Sequence, residues 1–196
     1  TVPAASIDDV DKAVNSAERG FLEMKKLTAH DRYTLLMKAA DLIQERKEDL
    51  ARTITLEEGK VITEGRLEVE RCLQTIIFSA EEAKRLQSEI IPLDAAPGNS
   101  GKFGFTLRVP VGIVAAISPF NFPLNLVAHK VGPALAAGNS VVLKPASDTP
   151  LSALKLTEIM IDSGFPPESI QCITGSGSII GNALVSNPKI RKVTFT

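Results

Sequence analysis

The sequence predicts an α/β protein: N-terminal helices, then a β-hairpin arm, then the first half of a doubly wound parallel sheet. Three observations carry that prediction. Up to residue 87, apolar side chains recur at helical spacing among charged ones. From 89 to 110 that pattern gives way to short extended pieces around a turn-rich loop. From 111 to 196, short apolar runs alternate with helical stretches, as parallel strands joined by crossover helices do. The chain is therefore read as a helical scaffold (1–88), a hairpin arm serving as an oligomer contact (89–110) and a partial α/β domain (111–196).

Residues 1–5 read as a loose tail. Ser6 with Asp9 forms a capping box, and Val10, Val14, Ala17 and Phe21 then share one helix face. Thr28 with Asp31 repeats the start signal for a helix running to about Lys47, with Leu35, Leu36, Ala39, Leu42 and Ile43 inward. A third helix, 48–58, stops at Gly59. A long fourth, 63–87, turns Leu67, Leu73, Ile76, Ile77 and Ala80 inward, and its charged residues form a solvated face. Extended pieces at 89–93 and 102–109 flank the loop 95–101 and make the hairpin.

The remaining elements follow from Ile113. Ile113 to Ile117 is a continuous apolar run, expected of a strand covered on both faces. The stretch 124–137 is apolar nearly all round, so it is a buried helix, bent at Pro133 and stopped by Gly138 and Asn139. Val141 to Leu143 is the second strand. Thr149, with Pro150 behind it, caps the next helix, which Gly164 closes. Ile170 to Ile173 is the third strand, the glycine run 175–181 opens a short helix to Ser186, and 192–196 is a fourth strand. A wound-sheet strand is normally followed by a covering helix, so the chain is expected to be part of a longer protein.

Composition sets the outer limits. The chain has 196 residues and a net charge of −1 with no block of like charges, which gives no sign of a nucleic-acid partner. No apolar run reaches the roughly 18 residues of a membrane helix. Cys72 and Cys172 are the two cysteines, too few and too far apart for a disulfide framework. A reducing, cytoplasmic setting follows, with both thiols as small core groups.

Two residues stand where chemistry happens in such sheets, just past the carboxyl ends of strands. Asn121 lies in the loop Ser118-Pro119-Phe120-Asn121-Phe122-Pro123. Its carboxamide either stabilises a developing oxyanion, worth roughly 3–4 kcal/mol in a dry site, or caps the following helix or turn. Lys144 ends the second strand and either reaches a ligand's hydroxyls or phosphate or snorkels to the surface. The glycine run reads Gly175-x-Gly177-x-x-x-Gly181, one residue longer than the Rossmann fingerprint and after the third strand instead of the first. It serves either a dinucleotide or merely a tight turn. His30 and His129 have no ligand-spaced partners, so no metal site is read, and His129 is taken as structural.

The segments Ser118 to Pro123, Gly132 to Asn139, Val142 to Ala146, Thr149-Pro150, Gly164 to Pro166 and Lys192 to Thr196 together resemble the aldehyde dehydrogenase superfamily. The first half fits too, through Leu56-Glu57-Glu58-Gly59-Lys60. The resemblance implies a Rossmann-like NAD(P)-binding domain at 111–196. It places the amide donor to the thiohemiacetal oxyanion on Asn121 and the ribose-binding lysine on Lys144. It puts Ile117, Ser118, Pro119 and Phe120 along the cofactor cleft, Gly177, Ser178 and Gly181 near the adenine, and Phe195 and Thr196 near the pyrophosphate. It implies a small-molecule aldehyde as substrate, NAD or NADP as cofactor and a homodimer or homotetramer. Members preferring NAD often carry Glu three residues after the lysine; here that residue is Ser147, so NADP is tolerated or preferred, with Asp148 next door. The family's nucleophilic cysteine and general-base glutamate lie downstream, beyond residue 196. Two other classes stay open: a nucleotide-binding module without catalysis, and a structural or oligomerising homologue without chemistry. A reductase acting on acyl donors through the same thioester is the alternative within the class.

Overall fold

In the computed structural model, which describes residues 2–196, seven α-helices and six strands follow the expected order. The helical scaffold is α1 (Ile7–Met24), α2 (Ala29–Glu45), α3 (Lys47–Glu58) and α4 (Ile62–Ala83). Local signals set three of its boundaries. Ser6 and Asp9 form a reciprocal capping box at α1, as do Thr28 and Asp31 at α2. Gly59 ends α3 in the left-handed conformation, φ 90°, with open space where a side chain would stand.

The arm is slighter than its sequence suggests. Only Ile90 with Phe105 and Ile91 with Gly104 pair, as the antiparallel strands β1 (Ile90–Ile91) and β2 (Gly104–Phe105). The main sheet is fully parallel, in the order β5-β4-β3-β6. Its strands are β3 (Ile113–Ile117), β4 (Ser140–Lys144), β5 (Ile170–Cys172) and β6 (Ile190–Phe195). After β3 the chain steps outward to β4 and β5, then returns to the other side of β3 as β6. The carboxyl ends of β3 and β6 thus flank the point where strand order reverses, where such sheets open a crevice.

Side-chain alternation along each strand divides the core in two. Ile113 and Ala115 of β3 and Val142 of β4 face Val10, Val14 and Ala17 of α1 and Leu184 of α7 (Asn182–Ser186). Val114, Ala116, Val141 and Leu143 face the larger cluster built by α2 to α4 with α5 (Asn125–Ala136) and α6 (Leu151–Asp162). Both faces of β3 and β4 are covered, which is why those strands read as unbroken apolar runs.

Several expectations are corrected. Residues 3–5 are no loose tail: Ala5 N donates to Thr174 O at 2.7 Å, and Thr174 Oγ1 donates to Pro3 O. α4 stops at Ala83, four residues short of Gln87, and Leu67 is 55% exposed instead of inward. Thr149 does not cap α6. Its hydroxyl points to Phe120 O at 3.5 Å, and Glu57 Oε2 and Oε1 accept from Leu151 N (2.7 Å) and Ser152 N (2.9 Å). A carboxylate from α3 thus does the work expected of a neighbouring hydroxyl. The glycine run forms a single π-helical turn, Gly177–Gly181, ahead of α7.

Candidate active site

The loop 118–124 leaves β3 at the sheet's carboxyl edge and enters α5. Its first residue is fixed by Ser118 N donating to Lys144 O at 3.2 Å, which continues the β3–β4 ladder by one step. Pro119 is half-buried, Phe120 and Asn121 are exposed, and Pro123 and Leu124 are buried. Among the described residues, no group hydrogen-bonds the Asn121 carboxamide. Nor does it cap α5, because the amides of Leu124 and Asn125 at that helix start donate to Glu68 Oε1 at 2.9 and 3.1 Å. The capping alternative for Asn121 is therefore excluded. What remains is an uncommitted amide on a backbone held from below.

Sequence reasoning missed the holding groups. Glu68 is 1% exposed, midway along α4's buried stripe of Gly65, Val69, Cys72 and Ile76. Its second oxygen accepts from Lys60 Nζ at 2.9 Å. Lys60 Nζ also donates to Asn121 O at 2.6 Å and sits 3.8 Å from the centre of the Phe122 ring, a cation–π contact. Glu58 Oε2 lies 3.0 Å from the same ammonium but outside hydrogen-bond geometry. Burial raises the Glu58 pKa, with Lys60 opposing that rise. A carboxylate inside an apolar helical stripe was the available signal, obscured by reading the helix's charges as one solvated face.

Lys144 overturns its snorkelling alternative. It is 4% exposed, and its ammonium donates to Pro145 O at 2.9 Å. Burial lowers its pKa. With Ile117, Gly177, Gly181, Asn182, Val185, Val193 and Phe195 it lines a cleft of about 290 Å³ at the strand-order reversal. This cleft brings together five of the residues expected there: Ile117, Lys144, Gly177, Gly181 and Phe195. A side chain added at Gly177 or Gly181 would stand 3.8 or 4.0 Å from the Lys144 stem and fill part of it. The donor set and shape fit a nucleotide: a buried cation with no carboxylate partner among the described residues, apolar walls and glycine-bared backbone. Thr196 N donates to Ile117 O at 3.3 Å beside it, and the buried Lys130 of α5 bonds the Thr196 hydroxyl.

Other expected residues stand apart. Ser178 is exposed and shares a 2.8 Å hydrogen bond with Ser176. Ser147 does not line the Lys144 cleft; it borders a separate depression with Asp148 and Glu57, and its hydroxyl donates to Gly175 O at 3.0 Å. His129 is exposed, with Nε2 3.4 Å from Thr75 Oγ1. It belongs to a groove between α4 and α5 whose two lobes measure about 340 and 540 Å³. Polar residues, among them Glu70, Arg71, Gln74, Asn125 and His129, line one lobe beside Leu67 and Phe78. Burial pushes the Cys172 thiol up to about 12 and Cys72 higher still, which favours the protonated thiol at both. Among the described residues, no group of three or more His, Cys, Asp or Glu could hold a metal, and no helix is long and apolar enough to cross a membrane.

Comparison with known proteins supplies the family. The family model described as "Aldehyde dehydrogenase family" matches residues 1–196. The chain is 51% identical to 3-sulfolactaldehyde dehydrogenase of Priestia aryabhattai, over 100% of this chain and 40% of that protein. It is 41% identical to the NADP-dependent succinate-semialdehyde dehydrogenase of Escherichia coli, again over 100% and 40%. The solved structure of NADP-dependent glyceraldehyde-3-phosphate dehydrogenase from Bacillus halodurans, complexed with NADP, superposes with a TM-score of 0.95 at 42% identity, covering 99% of this chain and 41% of that one. The chain thus spans about 40% of the length of the curated relatives it matches. On these grounds, the chain belongs to the aldehyde dehydrogenase family.

Proposed function

We propose that the full-length protein oxidises an aldehyde to a carboxylic acid with NAD or NADP. The observation that carries this reading is the shared edge of one sheet. There an uncommitted carboxamide, Asn121, follows β3, and a cleft around the buried Lys144 opens between β3, β4 and β6. A cysteine thiolate from the downstream part would attack the aldehyde carbon, and Asn121 Nδ2 would donate to the oxyanion as it forms. Lys144 would hold the ribose hydroxyls, and the bared backbone of Gly177 and Gly181 would admit the adenine; the bound cofactor supplies the hydride acceptor. A downstream carboxylate would then activate the water that releases the acid. Thr196 and Phe195 would close the cleft toward the pyrophosphate.

The substrate is a short aldehyde carrying a distal acid group. Arg71, which has no ion pair among the described residues, and His129 line the α4–α5 groove, whose carboxylates Glu70 and Glu82 are paired with Lys47 and Arg85. Relatives named for 3-sulfolactaldehyde and succinate semialdehyde agree with that reading. NADP is the favoured cofactor, because residue 147 itself carries no charge to repel a 2′-phosphate; Asp148, in the same depression, is the carboxylate that would oppose it. Since the Ser147 hydroxyl already donates to Gly175 O, its contribution is mainly the missing charge. The apolar arm, with Ile90, Phe103, Phe105 and Leu107 exposed, is the contact of a homodimer or homotetramer. Two free thiols suit a reducing cytoplasm.

The test is reduced-cofactor formation by the full-length protein with succinate semialdehyde and butanal, each with NAD and with NADP. The expected result is a higher kcat/KM for the acid-bearing aldehyde, and a kcat/KM with NADP at least equal to that with NAD. No turnover in any combination would refute the enzymatic reading. A preference for NAD of about tenfold or more, some 1.4 kcal/mol, would refute the role of Ser147.

A further inference from the structure

The half-buried Lys60 and the buried Glu68 form an ion pair whose contacts converge on four residues, Asn121, Phe122, Leu124 and Asn125, where the loop enters α5. Lys60 Nζ takes Asn121 O at 2.6 Å, and Glu68 Oε1 takes Leu124 N and Asn125 N at 2.9 and 3.1 Å. The loop backbone is thus gripped on both sides of Pro123, while the Phe122 ring rests 3.8 Å from the same ammonium. Burying such charges is costly, and an apolar pair of equal volume commonly stabilises a fold as well or better. What an apolar pair cannot do is hold a carbonyl and two amides at fixed positions. The start of α5, with its outward amides and dipole, completes the neutralisation of Glu68. The Asn121 side chain itself is left free, while its own carbonyl is fixed. We propose that Lys60 and Glu68 are positioning residues, which set the Asn121 carboxamide where the oxyanion forms. This rests on the reading of Asn121 as the oxyanion donor.

The test is a double-mutant cycle in the full-length protein, using Lys60→Met, Lys60→Arg, Glu68→Gln, Asn121→Ala and the combination Lys60→Met/Asn121→Ala. Glutamine at 68 keeps the volume and an acceptor for the α5 amides, so the fold survives that change. Lys60→Met and Glu68→Gln should each lower kcat by about 10- to 100-fold, the scale expected of a misplaced catalytic group. The KM for the cofactor should move less than about threefold, because the Lys144 cleft is untouched. Lys60→Arg should restore most of the rate, since it can still donate to the carbonyl. In the Asn121→Ala background, Lys60→Met should cost less than about twofold more, because the group it positions is gone. Equal losses with and without Asn121 would show a merely structural pair and overturn the proposal, as would unchanged kcat in both single variants. Full activity of Asn121→Ala alone would instead overturn the oxyanion reading, and the positioning role with it.

Discussion

Replacing Asn121 with alanine in the full-length protein lowers kcat for aldehyde oxidation by about 10²- to 10³-fold, the usual effect of removing one oxyanion donor. The reasoning starts from what the structure excludes. Were Asn121 a cap, its loss would show as instability of α5, but the α5 amides are already taken by Glu68. Were it a packing residue, it would be buried, and it is exposed. Alanine there leaves Lys60 on the residue 121 carbonyl, since that bond uses backbone. The fold and the affinity for cofactor should therefore hold, and the loss should fall on the chemical step. Steady-state kinetics with thermal unfolding on the same preparation checks both halves. A loss appearing as a raised cofactor KM would place Asn121 in binding instead.

Gly20→Ala destabilises the fold by about 2–3 kcal/mol, the upper part of the range for forcing extra atoms into a packed interior. A Cβ on Gly20 would lie 2.2 Å from the Glu168 carbonyl carbon and oxygen and 2.4 Å from Ser169 N. All three are backbone atoms of a tight turn leading into β5, closed by Ser169 N donating to Pro166 O at 2.8 Å. No side chain can swing aside there, so α1 must lift from the sheet or the turn must open. Alanine's better helix propensity, worth about 1 kcal/mol, offsets only part of that. The unfolding midpoint should drop by about 5 °C or more. A midpoint unchanged within about 1 °C would mean that α1 does not press on this turn.

The fold was readable where local chemistry decides structure. Ser6 with Asp9, Thr28 with Asp31 and Gly59 each act within a few residues, and each set its boundary as expected. β3 was readable because a strand buried on both faces must be apolar throughout. Reading failed where a distant partner outbid a local one. Thr149-Pro150 looked like a helix start, but Glu57, 94 residues from Leu151, supplies the acceptor. Lys144 looked able to reach solvent, but the glycine turn, α7 and β6 stand around it. Glu68 and Lys60 were the largest omission: only the folded packing of α4 beneath the loop shows that a charge in a helix stripe serves a backbone more than fifty residues away. Asn121 and Lys144 were singled out because strand ends in wound sheets are where ligands collect.

The central claim is that the Asn121 carboxamide meets the oxyanion. The most direct measurement is a crystal structure of the full-length protein trapped as its aldehyde adduct. The account predicts Asn121 Nδ2 about 2.7–3.1 Å from the adduct oxygen, with Lys60 still on the Asn121 carbonyl. An adduct oxygen served by other donors, with the Asn121 side chain turned away from it, would contradict the account.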